Sequence, residues 1–314
     1  MRAGIIANPR AGRGHALARA EQARQELAAD GVEVELACSD AAGVVTELSR
    51  AMAHDCELIV VAGGDGTINE ALQGIVGSEA LLGVIPAGLA NVWAHEVGLT
   101  TGPGAAVSLL RDGLVFDTDL GLVNGRYFLA MAGIGFDAAV VAAVASDSKA
   151  RWAQLAYVRE ALACARTWPA PEVELEMDGV AHMLPLFGII AANTSNYAGV
   201  FELAPDSKLD DGLLELLVYE DGGFASRVRS MLLADGRTRR FDPRARTVSV
   251  SEACICSAEP VVAHADAELA GTTPCEIRVI SRGMRALLPA TAAKRYLRPG
   301  RPLTSPAASR SRSR

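Results

Sequence analysis

The chain has 314 residues, of which 50% are hydrophobic and 5% are aromatic. This composition suits a soluble α/β protein better than a disordered or fibrous one, and the length allows two domains with substantial cores. The net charge is −7, but residues 294–314 carry seven basic side chains and no acidic one, so the rest of the chain carries −14. A body this acidic argues against nucleic-acid binding.

Neither a membrane span nor a leader is evident. No stretch approaches about 18 consecutive apolar residues, and the run Ala3–Ala7 is too short for the core of a signal peptide. We therefore expect a cytoplasmic protein whose six cysteines are reduced. The tail 299–314, rich in Pro, Ser and Arg, is predicted to be disordered, and weak attraction to an anionic membrane is the alternative role.

The first hundred residues alternate strands with helices. We predict strands at Ala3–Ala7, Val32–Leu36, 58–62 and Leu81–Ile85, and helices at His15–Ala29, 45–52, 68–76 and 90–97. This order predicts a parallel sheet between two layers of helices, a three-layer α/β domain over residues 1–113. Ligands bind such domains at the carboxyl ends of the strands.

The pattern changes after residue 113. Asn124-Gly125 and Asp178-Gly179 are two-residue hairpin signals. Strand-like runs follow at 120–123, 126–129, 173–177, 186–192, 213–219, 247–251, 260–265 and 276–280, and only 136–168 reads as helical. We predict a mainly antiparallel β-sandwich over residues 114–285. A helix-prone segment, 286–298, follows, and packing back on the first domain is one option for it.

The most informative stretch is Gly63–Glu70, named turn 2 below, which joins the strand 58–62 to a helix. Its three glycines permit φ > 0 and a close approach of the backbone to a ligand, and a helix N-terminus attracts anions. A plain glycine turn is the alternative. The stretch also carries four polar residues: Asp65, Thr67, Asn69 and Glu70. Their presence favours a phosphate-binding function.

Two more turns lead from a strand into a helix. Turn 1, Asn8–Gly14, contains Arg10 and Arg13, and turn 3 is Pro86–Asn91. Either could be an ordinary connection. Because all three turns follow parallel strands, we expect them at one edge of the sheet, where they would bind one phosphate-containing ligand.

The motif Gly63-Gly64-Asp65-Gly66-Thr67-x-Asn69-Glu70, followed by Pro86-x-Gly88-x-Ala90-Asn91, resembles the catalytic domain shared by diacylglycerol kinases, sphingosine kinases and soluble bacterial lipid kinases. The similarity continues in order over about residues 1–290. Its later pieces are Asn124-Gly125-x-x-Phe128, Gly133-x-Gly135-Phe136-Asp137-Ala138, Asn193–Asp211 before Gly212, and Asp266-x-Glu268.

The resemblance implies an ATP-dependent lipid kinase that works in a cleft between an α/β nucleotide domain and a β-rich lipid domain, with Mg²⁺ accompanying ATP. A lipid acceptor implies peripheral association with a membrane surface, and we leave open whether the protein is a homodimer. By the same resemblance, the nucleotide is held by Asn8, Ser39, Gly63, Gly64, Asp65, Gly66, Thr67, Asn69, Glu70, Gly88 and Asn91.

The family resemblance also assigns acidic residues. Asp266 is the candidate general base, and Glu268 would project to the same side in an extended segment, where it could orient the base or bind hydrated Mg²⁺. Without the resemblance, the two acids would be a solvent-facing strand pair. Asp211, with the carbonyl of Leu213, is the candidate ligand of a structural metal, although Asp-Asp-Gly is also common turn chemistry.

Two positions depart from the family pattern. Leu89 stands where a Thr is usual, so a hydroxyl that would contact the nucleotide is missing. Ala267 replaces the Gly of Asp-Gly-Glu, which we expect only if φ there is negative. Two other functions therefore stay open, a catalytically impaired regulatory module that binds lipid or nucleotide, and an NAD kinase, which shares the Gly-Gly-Asp-Gly-Thr turn.

Overall fold

The structure, a computed structural model, describes residues 1–100, 105–146, 161–197 and 201–303. The chain divides into two compact units. Unit 1 comprises Met1–Asp119, Leu209–Asp211 and the chain from Ser281 onward; unit 2 comprises Leu120–Lys208 and Gly212–Ile280. The divisions after residues 119 and 280 differ from the predicted ones after 113 and 285, because two long strands cross them, and Leu209–Asp211 belong to unit 1 although they were predicted in the second domain. Most of the tail predicted to be disordered lies outside the described residues.

Unit 1 is built on a parallel sheet with the strand order β4-β3-β1-β2. Its strands are β1 (Arg2–Ala7), β2 (Glu33–Cys38), β3 (Leu58–Gly63) and β4 (Leu81–Pro86). Both β3 and β4 are buried along their whole length, as expected for parallel strands covered on both faces. All four carboxyl ends therefore lie at one edge, where turns 1, 2 and 3 begin.

Helices cover both faces of this sheet. They are α1 (His15–Ala29), α2 (Val44–Asp55), α3 (Asp65–Ile75), α4 (Val92–Glu96) and α5 (Ala105–Asp112). Side chains alternate along β1: Ile5 packs in one cluster with Ala20 and Leu27 of α1, whereas a Cβ on Gly4 would lie 2.8 Å from the sulfur of Met52 in α2. The predicted three-layer α/β domain is confirmed.

Unit 2 is mainly antiparallel, and it too confirms the predicted fold class. Its strands are β5 (Leu114–Val123, which begins in unit 1), β6 (Arg126–Phe128), β7 (Met131–Gly135), β8 (Glu172–Met177), β9 (Val180–Ala192), β10 (Asn196–Tyr197), β11 (Phe201–Glu202), β12 (Leu214–Glu220), β13 (Ala245–Val250), β14 (Glu252–Ser257), β15 (Val262–Ala265), β16 (Glu268–Thr272) and β17 (Cys275–Leu288, which ends in unit 1). A short strand in unit 1, β18 (Arg301–Pro302), pairs with the start of β5.

The long strand β9 belongs to both layers of the sandwich. Its first half pairs with β8, and its second half pairs with β7 and β12. Along the second half, Ile189 and Ala191 face the core between the layers, and Ile190 and Ala192 face the opposite side. Helices supply that outer layer: α6 (Phe136–Ser146), α7 (which includes residues 161–167) and α8 (Phe224–Leu232).

Several elements were not predicted from the sequence: α5, α8, β7, β14, β16 and the two-residue strands β10, β11 and β18. Strand β16 has five residues, of which one is buried, and β14 buries only two apolar side chains, Ala253 and Ile255, so the apolar pattern of both strands is weak. The segment 286–298 is not one helix, because β17 runs to Leu288 and a 3₁₀ helix then covers Ala290–Arg295. Within the described ranges, no helix combines the length and apolarity needed to cross a bilayer.

Candidate active site

Turn 2 differs from its predicted shape. Helix α3 begins at Asp65, about one turn earlier than expected, so Gly66 and Thr67 belong to its first turn. Gly64 is the N-cap residue, with the extended angles φ −93° and ψ −175°, and no side chain caps the helix there. The first N–H groups of a helix lack acceptors within the helix. The end of β3 therefore leads directly into a helix N-terminus that can receive an anion.

The glycines of turns 2 and 3 allow close packing, not left-handed backbone. Gly63, Gly64, Gly66 and Gly88 are all absent from the residues with positive φ, contrary to the expected role. A Cβ on Gly88 would lie 2.5 Å from the Cα of Gly64, and a Cβ on Gly63 would lie 2.5 Å from the Cβ of Thr67. Turns 2 and 3 thus touch backbone to backbone.

Turn 1 contacts both of the other turns. The side-chain amide of Asn8 donates to the hydroxyl of Thr67 (3.1 Å), and Asn8 Oδ1 accepts the N–H of Arg10 (3.0 Å). Gly12 has a φ of +59°, and a Cβ there would lie 2.6 Å from the carbonyl oxygen of Ala87 in turn 3. The predicted convergence of the three turns is therefore present in unit 1.

Two polar side chains shape turn 3. Asp65 accepts the N–H of Val92 (2.7 Å) and so caps α4 from turn 2. Asn91 has a φ of 47°, and its side chain both accepts the N–H of Gly88 (2.8 Å) and donates to the carbonyl of Gly88 (3.0 Å). Asp65 and Asn91 are therefore part of the hydrogen bonding that shapes turn 3.

The remaining predicted nucleotide residues differ in exposure. Asn69 is fully buried and Thr67 nearly so, whereas Glu70 is partly exposed. Ser39 follows β2 at the same edge, where its N–H donates to the carbonyl of Ala7 (3.1 Å). Leu89 is 86% exposed, so the side chain that replaces the usual Thr points away from the core of unit 1.

In unit 2, Asp266 and Ala267 form a two-residue turn between β15 and β16. Ala265 pairs with Glu268, and φ is +48° at Asp266 and +67° at Ala267, as in a type I′ turn. The expectation that Ala267 has a negative φ is therefore wrong. The segment is not extended either, so Asp266 lies in the turn and Glu268 is an exposed residue at the start of β16.

Backbone donors fix the carboxylate of Asp266. Its Oδ2 accepts the N–H of Leu129 (2.8 Å), and its Oδ1 accepts the N–H groups of Ala130 (2.9 Å) and Met131 (3.1 Å). The main chain of Asp266 also donates to the carbonyl of Met131 (2.9 Å). Such bonds fix the orientation of the carboxylate.

A buried polar network supports the same turn, and the sequence did not reveal it. Nδ1 of His264 accepts the N–H of Ala267 (3.2 Å), and Nε2 of His264 lies 2.7 Å from Oδ2 of Asp137. The hydroxyl of Tyr197 donates to the other oxygen of Asp137. A Cβ on Gly133 would lie 2.4 Å from Nε2 of His264, so this glycine makes room for the pair. The sequence predicted His264 as a strand residue, which it is, but gave no signal of its partner.

The loop proposed to bind a structural metal has few acidic ligands to offer. Both carboxylate oxygens of Asp210 accept main-chain N–H groups, from Leu297 (2.6 Å) and Arg298 (2.9 Å). In the described part of the chain, no three His, Cys, Asp or Glu side chains come together as a metal site. The predicted site combines one carboxylate with main-chain carbonyls, a ligand set that this criterion does not cover. Asp211 and Leu213 therefore stay a sequence prediction.

Unit 2 also contains an apolar cavity of about 210 Å³, open to solvent, between β9, β12 and the helical layer. Asp137 lies in its wall, as does Tyr219, where burial raises the pKa of the hydroxyl and keeps it neutral. The lining residues are Phe136, Asp137, Val140, Ala161, Phe187, Gly188, Ile190, Tyr197, Leu203, Tyr219, Ser230, Met231 and Ala234. A hydrocarbon chain would fit such walls.

Comparison with known proteins matches the chain to two families in succession. Residues 2–123 match the sequence model of the diacylglycerol kinase catalytic domain, and residues 130–288 match that of the YegS C-terminal NAD kinase beta sandwich-like domain. Together the two matches span both the α/β and the sandwich parts.

Similar proteins extend over nearly the whole chain. The diacylglycerol kinase of Bacillus subtilis (strain 168) is 29% identical over 292 residues, 92% of this chain and 96% of that protein. The diacylglycerol kinase of Staphylococcus carnosus (strain TM300) is 28% identical over 291 residues, 92% and 95% of the two chains. The crystal structure of a diacylglycerol kinase from Bacillus anthracis str. Sterne shares the fold, with a TM-score of 0.70, 20% identity, and coverage of 91% of this chain and 96% of that one.

Proposed function

The chain belongs to the diacylglycerol kinase catalytic-domain family, and from that premise we propose that it is an ATP-dependent lipid kinase. The enzyme transfers the γ-phosphate of ATP to the hydroxyl of a long-chain lipid alcohol. A diacylglycerol is the first acceptor to test, because both relatives named above are called diacylglycerol kinases. A sphingoid base carries the same group on an apolar body and is the second.

The observation that carries the proposal is the uncapped N-terminus of α3 at the meeting point of the three turns. Gly64 and Gly88 touch there, so ligand atoms can come close to the backbone of both turns. We assign the phosphates of ATP to this edge of unit 1, with Asn8 and Ser39 beside them. Mg²⁺ arrives with ATP as part of the substrate, and when bound it neutralises phosphate charge.

Asp266 is the proposed general base. The oxygen of the lipid hydroxyl forms a bond to the γ-phosphorus, the bond from that phosphorus to the bridging oxygen breaks, and ADP leaves. The proton of the hydroxyl passes to the Asp266 carboxylate, which the N–H groups of residues 129–131 hold in place. A positioned base typically contributes about 10²–10⁴-fold to the rate.

The apolar cavity of unit 2 supports a lipid acceptor. Its walls are aliphatic and aromatic, and the polar group Asp137 marks one side of it. We assign a hydrocarbon chain of the acceptor to this cavity, since burying apolar surface there contributes favourably to binding. Glu268, exposed beside the turn, is proposed to orient the acceptor hydroxyl or Asp266.

The test is transfer of radiolabelled γ-phosphate from ATP to a panel of acceptors in mixed micelles. The panel contains a diacylglycerol, a sphingoid base and a long-chain alcohol, with NAD as a water-soluble acceptor. Labelled lipid supports the proposal, and labelled NAD would replace it with the NAD kinase alternative. Binding of ATP and lipid without release of ADP, for every acceptor, would favour the regulatory module.

A further inference from the structure

Helix α8 exposes large apolar side chains along one stripe. Phe224 is 50% exposed and Leu232 is 77% exposed, and with Val228 they recur every fourth residue, which places them on one side of the helix. A single exposed apolar residue is normal in a folded protein. Two exposed apolar residues, one at each end of the stripe, indicate a binding surface only if a second observation supports it.

The adjoining 3₁₀ helix, Arg239–Phe241, supplies it. Phe241 is 64% exposed. Its neighbour Asp242 is buried, and the Asp242 carboxylate accepts hydrogen bonds from Arg229 (3.2 Å) and Ser230 (2.5 Å) of α8. These bonds hold Phe241 beside the end of α8 that carries Leu232. We call Phe224, Arg229, Leu232, Arg240 and Phe241 the α8 surface.

The charge of this region is opposite to that of the whole protein. Residues 224–246 contain seven arginines and two aspartates, a net charge of +5, in a chain whose net charge is −7. Arg227 and Arg239 are buried and have internal partners. The exposed arginines are Arg229, Arg237, Arg240, Arg244 and Arg246. Arg229, Arg237 and Arg246 form ion pairs with Asp242, Glu202 and Glu220, in that order. Arg244 donates to the main-chain carbonyl of Asp221, so Arg240 and Arg244 are the exposed arginines of this region that form no ion pair with an acidic side chain of the described residues. The guanidinium of Arg240 lies over the Phe241 ring, 4.9 Å from its centroid, so charge and apolar surface are adjacent.

The buried side of the same helix faces the apolar cavity. Ser230 and Met231 of α8 line that cavity, as does Ala234 just beyond the helix. Helix α8 therefore separates a cavity suited to a hydrocarbon chain from an exposed surface that is both apolar and basic. An anionic phospholipid bilayer matches both properties of the exposed surface, because it offers acyl chains beneath negatively charged headgroups.

We propose that the α8 surface docks the protein on anionic phospholipid membranes. Leu232 and Phe241 enter the boundary between headgroups and acyl chains, and Arg240, which lies over the Phe241 ring, pairs with a lipid phosphate. The inference rests on the proposed function in one respect only, the choice of a lipid as the partner of this region. Docking itself requires neither ATP nor catalysis.

Vesicle cosedimentation of the full chain, without ATP, tests the proposal. We expect binding to vesicles of equal parts phosphatidylcholine and phosphatidylglycerol, much weaker binding to phosphatidylcholine alone, and a decrease as salt rises. The double variant Leu232→Ser/Phe241→Ser should lower the partition coefficient by at least about 10-fold. Arg240→Ala should lower it by about fivefold on the anionic vesicles.

The matched control is Val180→Ser/Met183→Ser on the β8–β9 hairpin. Val180 and Met183 are also exposed, at 57% and 67%, and the chemical change is the same. We expect wild-type binding from this control. Unchanged binding by the Leu232/Phe241 variant, or an equal loss by the control, would overturn the proposal. Sedimentation velocity tests whether a second copy of the chain covers the surface. If the Leu232/Phe241 variant were monomeric where the wild type is a dimer, and bound vesicles as the wild type does, the proposal would also be overturned.

A kinase assay on a short-chain diacylglycerol dispersed in detergent separates the two proposals. The α8-surface variants should keep wild-type turnover there, because their residues do not line the cavity and the acceptor needs no membrane. If no protein phosphorylates any acceptor but the vesicle results hold, the kinase function fails and the docking surface stands.

Discussion

The imidazole of His264 accepts a hydrogen bond from the main-chain N–H of Ala267, with 3.2 Å between the two nitrogens. Because that N–H can only donate, Nδ1 of His264 has no proton, and the ring proton is on Nε2, which donates to Asp137 at 2.7 Å. One neutral side chain therefore joins the turn that carries Asp266 to a buried carboxylate in α6.

Two substitutions of His264 separate these two bonds. Asn places an amide oxygen near the position of Nδ1, so His264→Asn can keep the bond to Ala267 and loses the donor to Asp137. His264→Gln places an amide nitrogen near Nε2 and does the reverse. We expect kcat to fall by about 10- to 100-fold in His264→Gln, because the turn that carries the base is misplaced, with KM for ATP unchanged.

His264→Asn should keep more activity but be the less stable variant, since it leaves the buried Asp137 short of a donor at a cost of about 1–3 kcal/mol. Thermal unfolding and steady-state kinetics on both variants check this. If the role of His264 were purely structural, the variant that loses more stability would also lose more kcat.

Ala267→Gly should stabilise the protein. Two other hairpins have the same turn, with φ of 48° and 81° at Asn124-Gly125 and 46° and 83° at Asp178-Gly179. Both have Gly where the Asp266-Ala267 turn has Ala267. A left-handed conformation costs an L-residue about 1–2 kcal/mol, partly offset by the greater flexibility of Gly in the unfolded chain. We expect a gain of about 0.5–1 kcal/mol in the free energy of unfolding, with activity retained.

The reciprocal control is Gly179→Ala. A Cβ there meets nothing within 4 Å, so only the backbone conformation matters, and stability should fall by about the same amount. Chemical denaturation of both variants measures the difference. A loss of stability in Ala267→Gly would show that the methyl group makes contacts that outweigh the strain.

The sequence predicted most of unit 1 because its signals are local. Helix α1 runs from His15 to Ala29 as predicted, and β3 and β4 are continuous apolar runs. Turns 1 to 3 could be found because glycines and polar residues follow each strand. Helix α8 was missed since exposed Leu232 and Phe224 obscure its apolar face.

The surroundings of Asp266 could not be predicted in the same way. Its carboxylate binds main-chain N–H groups about 136 residues earlier in the chain, and a main-chain donor has no sequence signature. The partners His264 and Asp137 are 127 residues apart. The Asp-Ala turn was missed because hairpin turns of this type favour Gly at the second position.

Leu89→Thr should strengthen the use of ATP. The Leu89 side chain is 86% exposed, so the change removes little packing. A hydroxyl at this position of turn 3 can bond a phosphate oxygen, and one neutral hydrogen bond contributes about 0.5–1.5 kcal/mol, or ~2- to 13-fold in KM for ATP. Leu89→Ser is the second variant, which also supplies a hydroxyl. An unchanged KM for ATP in both would mean that residue 89 does not reach the nucleotide.

Asp266→Asn should reduce turnover by at least about 100-fold, because an amide cannot take the proton of the lipid hydroxyl. It should also destabilise unit 2, since the amide nitrogen would face main-chain donors of residues 129–131 that the carboxylate now accepts. Binding of ATP, measured by calorimetry, should stay near wild type.

Glu268→Gln changes the neighbouring exposed acid. It should lower stability and turnover less than Asp266→Asn does. A near wild-type rate in Asp266→Asn would remove this residue from the role of base.

Gly88→Ala tests whether the contact between turns 2 and 3 forms the nucleotide site. The added Cβ would lie 2.5 Å from the Cα of Gly64 and 2.8 Å from Oδ1 of Asn91, so the two turns must separate. Because a displacement of about 1 Å can lower the reaction rate ~100-fold, we expect KM for ATP to rise by at least about 10-fold, together with a loss of about 1–3 kcal/mol in stability.

The matched control is Gly83→Ala in β4, where the nearest atoms would be 3.4 Å away, an ordinary contact. It should leave KM for ATP unchanged. If Gly88→Ala retained the wild-type KM for ATP while Gly83→Ala behaved as expected, the phosphates would have to bind away from turns 2 and 3.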